Sequence, residues 1–349
     1  MSHGFPIVEF TRSPFDLAML TGTVSRRSFL RSSVLSALAT TLPRPAFSIE
    51  SSSAPSDSLE VHLFSKHLQF LDYEEMCDQA ARMGFAGLDL TVRPGGHVEP
   101  AEATRQLPRV GTALARAGLA PVMFTSALTR ADSAHAEATL ASAAEVGFRQ
   151  VRLGWPKFPE GIAPDQGIES LRASVAELAQ LLAKHGLRGA FQNHAGRGYV
   201  GASIWELHLL LKDIPRDLIG IQYDIRHATV ERGISWEQEF ALAAPNIATL
   251  AVKDFRWAQS NETSRGQLVN TPIGEGWVDF DRYFELLREH QVQAPTSMHL
   301  EYPLGGAEHG QRELTIPAQH VYDAMSRDLA ALRELHEPGP MQGLLAPAR

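Results

Sequence analysis

An α/β fold built as one closed (β/α)8 TIM barrel is the architecture this sequence predicts, on three observations. Short β-branched or apolar runs alternate with longer amphipathic segments across residues 61–335, with no second compositional regime. Eight such units suit a barrel of ordinary size. No Gly-x-Gly-x-x-Gly follows the first strand, which disfavours a doubly wound open sheet.

The elements follow in order. Val61 to Phe64 reads as the first strand and Tyr73 to Met83 as the first helix. Gly87 to Thr91 and Ala120 to Thr125 are the next strands, each followed by a helix, near Ala101 to Ala117 and Ala134 to Val146. Gln150 to Leu153 is the fourth strand, with a long helix over Gly167 to His185. Gly189 to Gln192, Ile219 to Asp224, Ile247 to Lys253 and Thr296 to Glu301 complete the eight. Helices near Ile204 to Lys212, Trp236 to Ala243 and Phe280 to His290 separate these last four. Gly274-Glu275-Gly276 lacks a preceding strand and a GK[ST] ending, so it reads as a helix entry, with Asp279 near the N-cap, rather than a phosphate loop.

Of the 349 residues, 44% are hydrophobic and 21% charged, enough for one large core. A formal charge of −8 argues against a nucleic-acid partner. Cys77 is the single cysteine, so neither an intramolecular disulfide nor a CxxC metal site exists. Ser25-Arg26-Arg27-Ser28-Phe29-Leu30-Arg31 is a twin-arginine sequence. A weakly apolar stretch, Ser33 to Leu42, follows, and then Ala46 and Ser48 as the small residues of a cleavage site. The apolar run is too short to span a bilayer comfortably. Residues 1–48 are therefore expected to be a signal segment, 49–60 a linker, 61–335 the barrel and 336–349 a flexible tail. The expected address is periplasmic or otherwise exported, with no stable membrane insertion once the signal is removed.

A barrel of this kind carries its site at the C-terminal ends of its strands. The polar residues there are Lys66, His67, Arg93, His97, Thr125, Ser126, Arg152, Gln192, Asn193, His194, Asp224, Arg226, His227, Lys253, Asp254, His299, Glu301 and Tyr302. Side chains two apart in a strand share a face. An inward Glu301 therefore stands above His299, Asp224 above Gln222, and Lys253 above Ala251. The inward set is Gln192, Asp224, Lys253 and Glu301, with His227 reaching over from the loop. Two carboxylates, an amide oxygen and an imidazole are a donor set for Mn2+, Mg2+, Co2+ or Zn2+. His299, one layer down, reads better as a core histidine.

Five pieces then carry a resemblance: Phe191-Gln192-Asn193-His194, Tyr223-Asp224-Ile225-Arg226-His227, Val252-Lys253-Asp254, Gly274-Glu275-Gly276-Trp277-Val278-Asp279-Phe280, and His299-Leu300-Glu301. In their order and spacing, from His62 to about Leu304, the chain resembles the xylose-isomerase-like sugar isomerase/epimerase superfamily. The resemblance implies a metal shell at the positions of Gln192, Asp224, Ala251 and Glu301. Asp224 and Glu301 match it. Gln192 replaces a carboxylate by a neutral amide, and Ala251 replaces an imidazole, so a divalent metal is expected to bind weakly here.

The resemblance also implies proton transfer next to a carbonyl of a sugar or oxidised sugar, with a stabilised enediolate. Glu301, His227 and Lys253 are the expected catalytic residues. Gln192, Asp224 and Glu301 are the expected metal contacts. Lys66, His67, His97, His194, Arg226 and Trp257 are the expected substrate contacts. A lyase on 3-keto sugars would use the same carbanion chemistry. A metal-free carbohydrate-binding barrel is the non-catalytic alternative, motivated by Ala251 and Gln192. A repair nuclease of the same fold is opposed by the acidic balance and the export signal. No long Lys/Arg run marks a phosphate site, and an exported address favours free or oxidised sugars. The expected partners are a small-molecule sugar and, as in other barrels of this family, a second copy of the chain.

Overall fold

The computed structural model describes residues 59–259 and 266–337, so the twin-arginine stretch and most of the expected linker and tail lie outside the described residues. The strands in chain order are β1 (Val61–Phe64), β2 (Gly87–Thr91), β3 (Ala120–Thr125), β4 (Gln150–Arg152), β5 (Arg188–Gln192), β6 (Ile219–Asp224), β7 (Ile247–Val252), β8 (Asp254–Gln259), β9 (Gly266–Thr271) and β10 (Thr296–Met298). β1 to β7 and β10 form a closed barrel in which every pairing is parallel. β10 closes the ring, setting Thr296 against Val61 on one side and Leu250 on the other.

The helices are α1 (Tyr73–Arg82), α2 (Ala103–Arg116), α3 (Ala136–Val146), α4 (Pro164–Lys184), α5 (Ile204–Leu211), α6 (Ile225–Arg232), α7 (Trp236–Ala243), α8 (Phe280–Glu289) and α9 (Ala318–His336). Their starts are written in the sequence. Asp72, Ser203 and Asp279 each accept a backbone N–H of the first turn, and Pro164 opens α4 with its fixed φ. No helix among the described residues is long and apolar enough to cross a membrane.

Strands covered on both faces become continuously buried runs, as β6 and β7 are along their whole length. Alternation then sorts their side chains. Tyr223 points outward onto Phe240 of α7 and Tyr283 of α8, with ring centroids 5.1 and 6.3 Å away, while its neighbour Asp224 faces the barrel mouth.

Besides α6, which starts directly after β6 and places His227 in its first turn rather than in a loop, two elements depart from the sequence expectation. The antiparallel pair β8–β9 follows β7 directly, with Asp254 opposite Thr271. Its residues Arg256, Trp257 and Gln259 are exposed, so it carries no apolar stripe for a sequence reading to find. The second is α9, whose buried face runs through Val321, Ala324, Met325, Asp328, Leu329 and Leu332. Asp328 interrupts the apolar period, yet it is buried for a reason. Its carboxylate accepts the Tyr302 hydroxyl at 2.9 Å and the Ile273 N–H at 3.4 Å, pinning α9 to the loops after β9 and β10.

The turn after β9 is held by Asp254. Its carboxylate accepts the backbone N–H groups of Phe255, Gly274, Gly276 and Val278 at 2.8 to 3.1 Å. A Cβ on Gly276 would collide with that carboxylate and with the Phe255 carbonyl. Gly276→Ala should therefore cost about 2–4 kcal/mol, lowering the thermal midpoint by roughly 5–10 °C. Calorimetry of the two proteins checks this, and an unchanged midpoint would contradict it.

Candidate active site at the barrel mouth

Lys253 follows directly on the end of β7 and lies between two carboxylates. Its Nζ is 3.3 Å from Asp224 Oδ2, at the end of β6, and 3.4 Å from Glu301 Oε2, beyond β10. Lys66, just past β1, approaches the other oxygen of Glu301 at 3.7 Å. Lys253 and Asp224 are almost wholly enclosed, whereas 26% of the Glu301 side chain is open to solvent.

Asp224 is saturated. Its Oδ1 accepts the His227 backbone N–H at 3.0 Å, which makes it the N-cap of α6. Its Oδ2 accepts Gln192 Nε2 at 2.7 Å in addition to facing Lys253. Gln192 Oε1 in turn accepts Arg152 Nη1 at 2.7 Å. This fixes the amide, because a flip would set nitrogen against a guanidinium and oxygen against a carboxylate. Asn193 clasps the same strand end, donating to the Asp224 carbonyl at 3.0 Å and accepting its N–H at 2.7 Å.

A wall of rings stands beside this cluster. The Arg152 guanidinium lies 4.8 Å from the Trp155 ring centre; Trp155 is 4.4 Å from His194, and His194 is 4.2 Å from His227. Arg226 continues it, contacting His227 Nδ1 at 3.1 Å and donating to Asn270 Oδ1 of β9 at 2.8 Å. Asn270 then donates to the Glu301 carbonyl at 3.1 Å, closing the circuit.

Burial and the crowd of cations set the charge states. Burial pushes the His194 imidazole down to about 4, helped by Lys253. His227 is held well below its usual range by burial, Lys253, His194 and Arg226. Both rings are therefore neutral near pH 7. Burial raises the Glu301 carboxyl, but Lys253 and Lys66 outweigh it and keep that group well below the ordinary carboxylate range. Burial pushes Lys66 down to about 8, with Glu301 opposing and Lys253, Arg93 and Arg152 assisting.

The structure brings Glu301, Lys253, Asp224, Gln192, His227, His194, Arg226 and Lys66 together. Two expected substrate contacts have other duties. His67 is fully buried, its Nε2 accepting the Leu300 N–H at 3.0 Å and its Nδ1 facing the Ala307 carbonyl at 3.2 Å. It ties the turn that carries Lys66 to the chain that carries Glu301. His97 likewise has both ring nitrogens engaged, with Ser65 Oγ at 3.1 Å and the Leu68 carbonyl at 3.2 Å. Trp257 stands on β8, 42% exposed, with Phe255 as its ring neighbour rather than a rim residue. His299 stacks on Phe64 at 4.3 Å, one layer down. Asn270 was not expected in the site, and Arg152 was named among the polar strand ends without a role. A lone arginine ending a buried strand was the one signal for Arg152, and Asn270 required the hairpin.

The donor set does not fit a divalent ion as it stands. Gln192 turns its oxygen away, to Arg152, and offers Asp224 a donor. Ala251 has no donor, and an ammonium lies between the two carboxylates. Among the described residues no group of three or more His, Cys, Asp or Glu could hold a metal.

The barrel and its rim define a class, and comparison places the chain within it. The protein belongs to the xylose isomerase-like TIM barrel family, whose sequence profile matches residues 77–320. It is similar to the crystal structure of a 3-keto-D-glucoside 4-epimerase, YcjR, from E. coli, at TM-score 0.57 and 15% identity, covering 78% of this chain and 99% of that one. It is also similar to D-psicose 3-epimerase with D-tagatose from Clostridium cellulolyticum H10, at TM-score 0.58 and 13% identity, covering 80% and 99%. The IolI protein with a bound zinc atom matches at TM-score 0.63 and 12% identity, again covering 80% and 99%. No curated protein sequence matches.

Five buried histidines, His62, His67, His97, His227 and His299, and the half-buried His194 share a depressed pKa, with burial as the first cause of each. Unfolded, they take up protons near pH 6.5, which the folded protein refuses. Stability present above pH 6.5 should therefore fall as the pH drops below it, levelling off for His62, His97 and His194 only below about 4. Urea midpoints followed by tryptophan fluorescence should already decline between pH 6.5 and 5, above the main carboxylate range. A flat profile in that window would contradict the assignment.

Proposed function

We propose that the protein is an isomerase/epimerase-type enzyme that moves a proton next to the carbonyl of a sugar or oxidised sugar. The observation that carries this reading is the Lys253 ammonium bridging Asp224 and Glu301 at the barrel mouth. Carbanion formation beside a carbonyl needs a base at the carbon and positive charge at the oxygen. Glu301, ionised and partly open, is the base. Lys253, held by the saturated Asp224, donates to the carbonyl oxygen and stabilises the enediolate. Neutral His227, with Nε2 buried and without a hydrogen-bond partner, handles a proton at the other face.

The rim residues orient these groups. Gln192 and Arg152 fix Asp224, and Arg226 and Asn270 set His227 against the Glu301 backbone. If the substrate carries a leaving group β to the carbanion, the same residues serve elimination, so a lyase on 3-keto sugars falls within this chemistry. The second reading is a divalent metal between Asp224 and Glu301, favoured by the zinc in the similar IolI structure. It requires Lys253 to swing away. The twin-arginine sequence supports a periplasmic site of action.

Incubation with keto-sugars in D2O, followed by NMR, tests the activity directly. Wild type should exchange the C–H next to the carbonyl. Glu301→Gln and Lys253→Met should each slow it by about 10²–10⁴-fold, mainly in kcat. If wild type exchanges no keto-sugar yet binds sugars, the non-catalytic barrel is the correct account.

A further inference from the structure

The mouth holds more positive charge than its carboxylates balance. Lys66, Arg93, Arg152, Arg226 and Lys253 are all within electrostatic reach of Glu301. Against these five cations stand three carboxylates, Asp89, Asp224 and Glu301. Asp89 lies deeper, fully buried, and already accepts the hydroxyls of Thr125 at 2.8 Å and Ser297 at 2.7 Å. Enclosed charge without a counter-charge is costly, so an excess of two at a rim calls for an anion from outside.

Of the unpartnered polar atoms around the mouth, which also include His194 Nδ1 and His227 Nε2, three are fixed donors. Arg152 Nε, Arg226 Nε and Trp155 Nε1 are buried without a hydrogen-bond partner. All three can only donate. Arg152 and Arg226 are 4% and 7% exposed, so these donors are enclosed rather than solvated. Lys66 and Arg93 complete the pattern. Each lies 5.5 Å from the centre of the Phe64 ring, and neither side chain donates a hydrogen bond within the described residues, although Lys66 has its ion pair with Glu301.

We propose that the mouth is built for an anionic sugar, whose carboxylate or phosphate docks between Lys66 and Arg93 while its carbonyl faces Lys253. This rests on the sugar-processing reading above and names its substrate class. The planar Arg93 fork suits a two-oxygen anion, with Lys66 as a point charge beside it. The five cations end or follow five different strands of the barrel, so no run of basic residues announces them in the sequence.

Calorimetric titration of the full protein with D-glucose, D-glucuronate and D-glucose 6-phosphate tests the proposal. At least one anion should bind tenfold or more tightly than glucose, with affinity falling as salt rises. Arg93→Gln and Lys66→Met should each weaken that binding by tenfold or more, whereas Arg116→Gln on α2 should leave it unchanged. Preference for glucuronate assigns a sugar acid, and preference for glucose 6-phosphate assigns a phosphate ester. The proposal is overturned if neither anion binds more tightly than glucose, or if both rim variants bind as wild type does. C–H exchange in neutral keto-sugars without any charge preference would overturn this inference and leave the proposed activity standing. Anion binding without exchange in any keto-sugar would do the reverse.

Discussion

One ion triad organises the barrel mouth: the Lys253 ammonium shared by Asp224 and Glu301, at 3.3 and 3.4 Å. At an effective dielectric near 20, each contact is worth roughly 5 kcal/mol of Coulomb energy. Desolvation takes back several kcal/mol per ion, so the triad holds only because the other hydrogen-bonding positions around it are filled. Asp224 is filled by Gln192 and by the His227 backbone N–H, and Gln192 by Arg152. Removing Lys253 would leave Asp224 without its ammonium partner and Glu301 with Lys66 alone.

The rest of the mouth follows from that arrangement. Glu301 keeps its charge because Lys253 and Lys66 flank it, and His194 and His227 lose theirs chiefly to burial, with Lys253 adding to it. A permanently charged acid, a fixed ammonium and two neutral imidazoles are complementary functions. The scaffold fixes their spacing. β6, β7 and β10 are adjacent, with a register shift between β6 and β7 at Ile221/Gln222, and Asp224 serves at once as strand end, N-cap of α6 and anchor for Lys253.

The barrel was legible because its strands are short apolar runs with one period, separated by helices whose caps are written out as Asp72, Ser203 and Asp279. The inward set Gln192, Asp224, Lys253 and Glu301 was legible from alternation alone, and the structure brings those four together. What they do to one another was not. The sequence shows an amide where a carboxylate is expected, but the direction of that amide depends on Arg152, which comes from another strand. The β8–β9 pair and α9 escaped because exposed polar residues in one and a buried Asp328 in the other break the apolar pattern. His67 and His97 look like rim residues in sequence, and only their buried hydrogen bonds reveal them as supports.

The central claim is that Lys253, rather than a divalent ion, supplies the positive charge of this site. Elemental analysis of purified wild-type protein, paired with turnover before and after prolonged dialysis against a chelator, tests it most directly. The account predicts metal far below one equivalent and turnover unaffected by the chelator. Near-stoichiometric Mn, Co or Zn, removed by the chelator together with turnover and restored on adding the ion back, would contradict it.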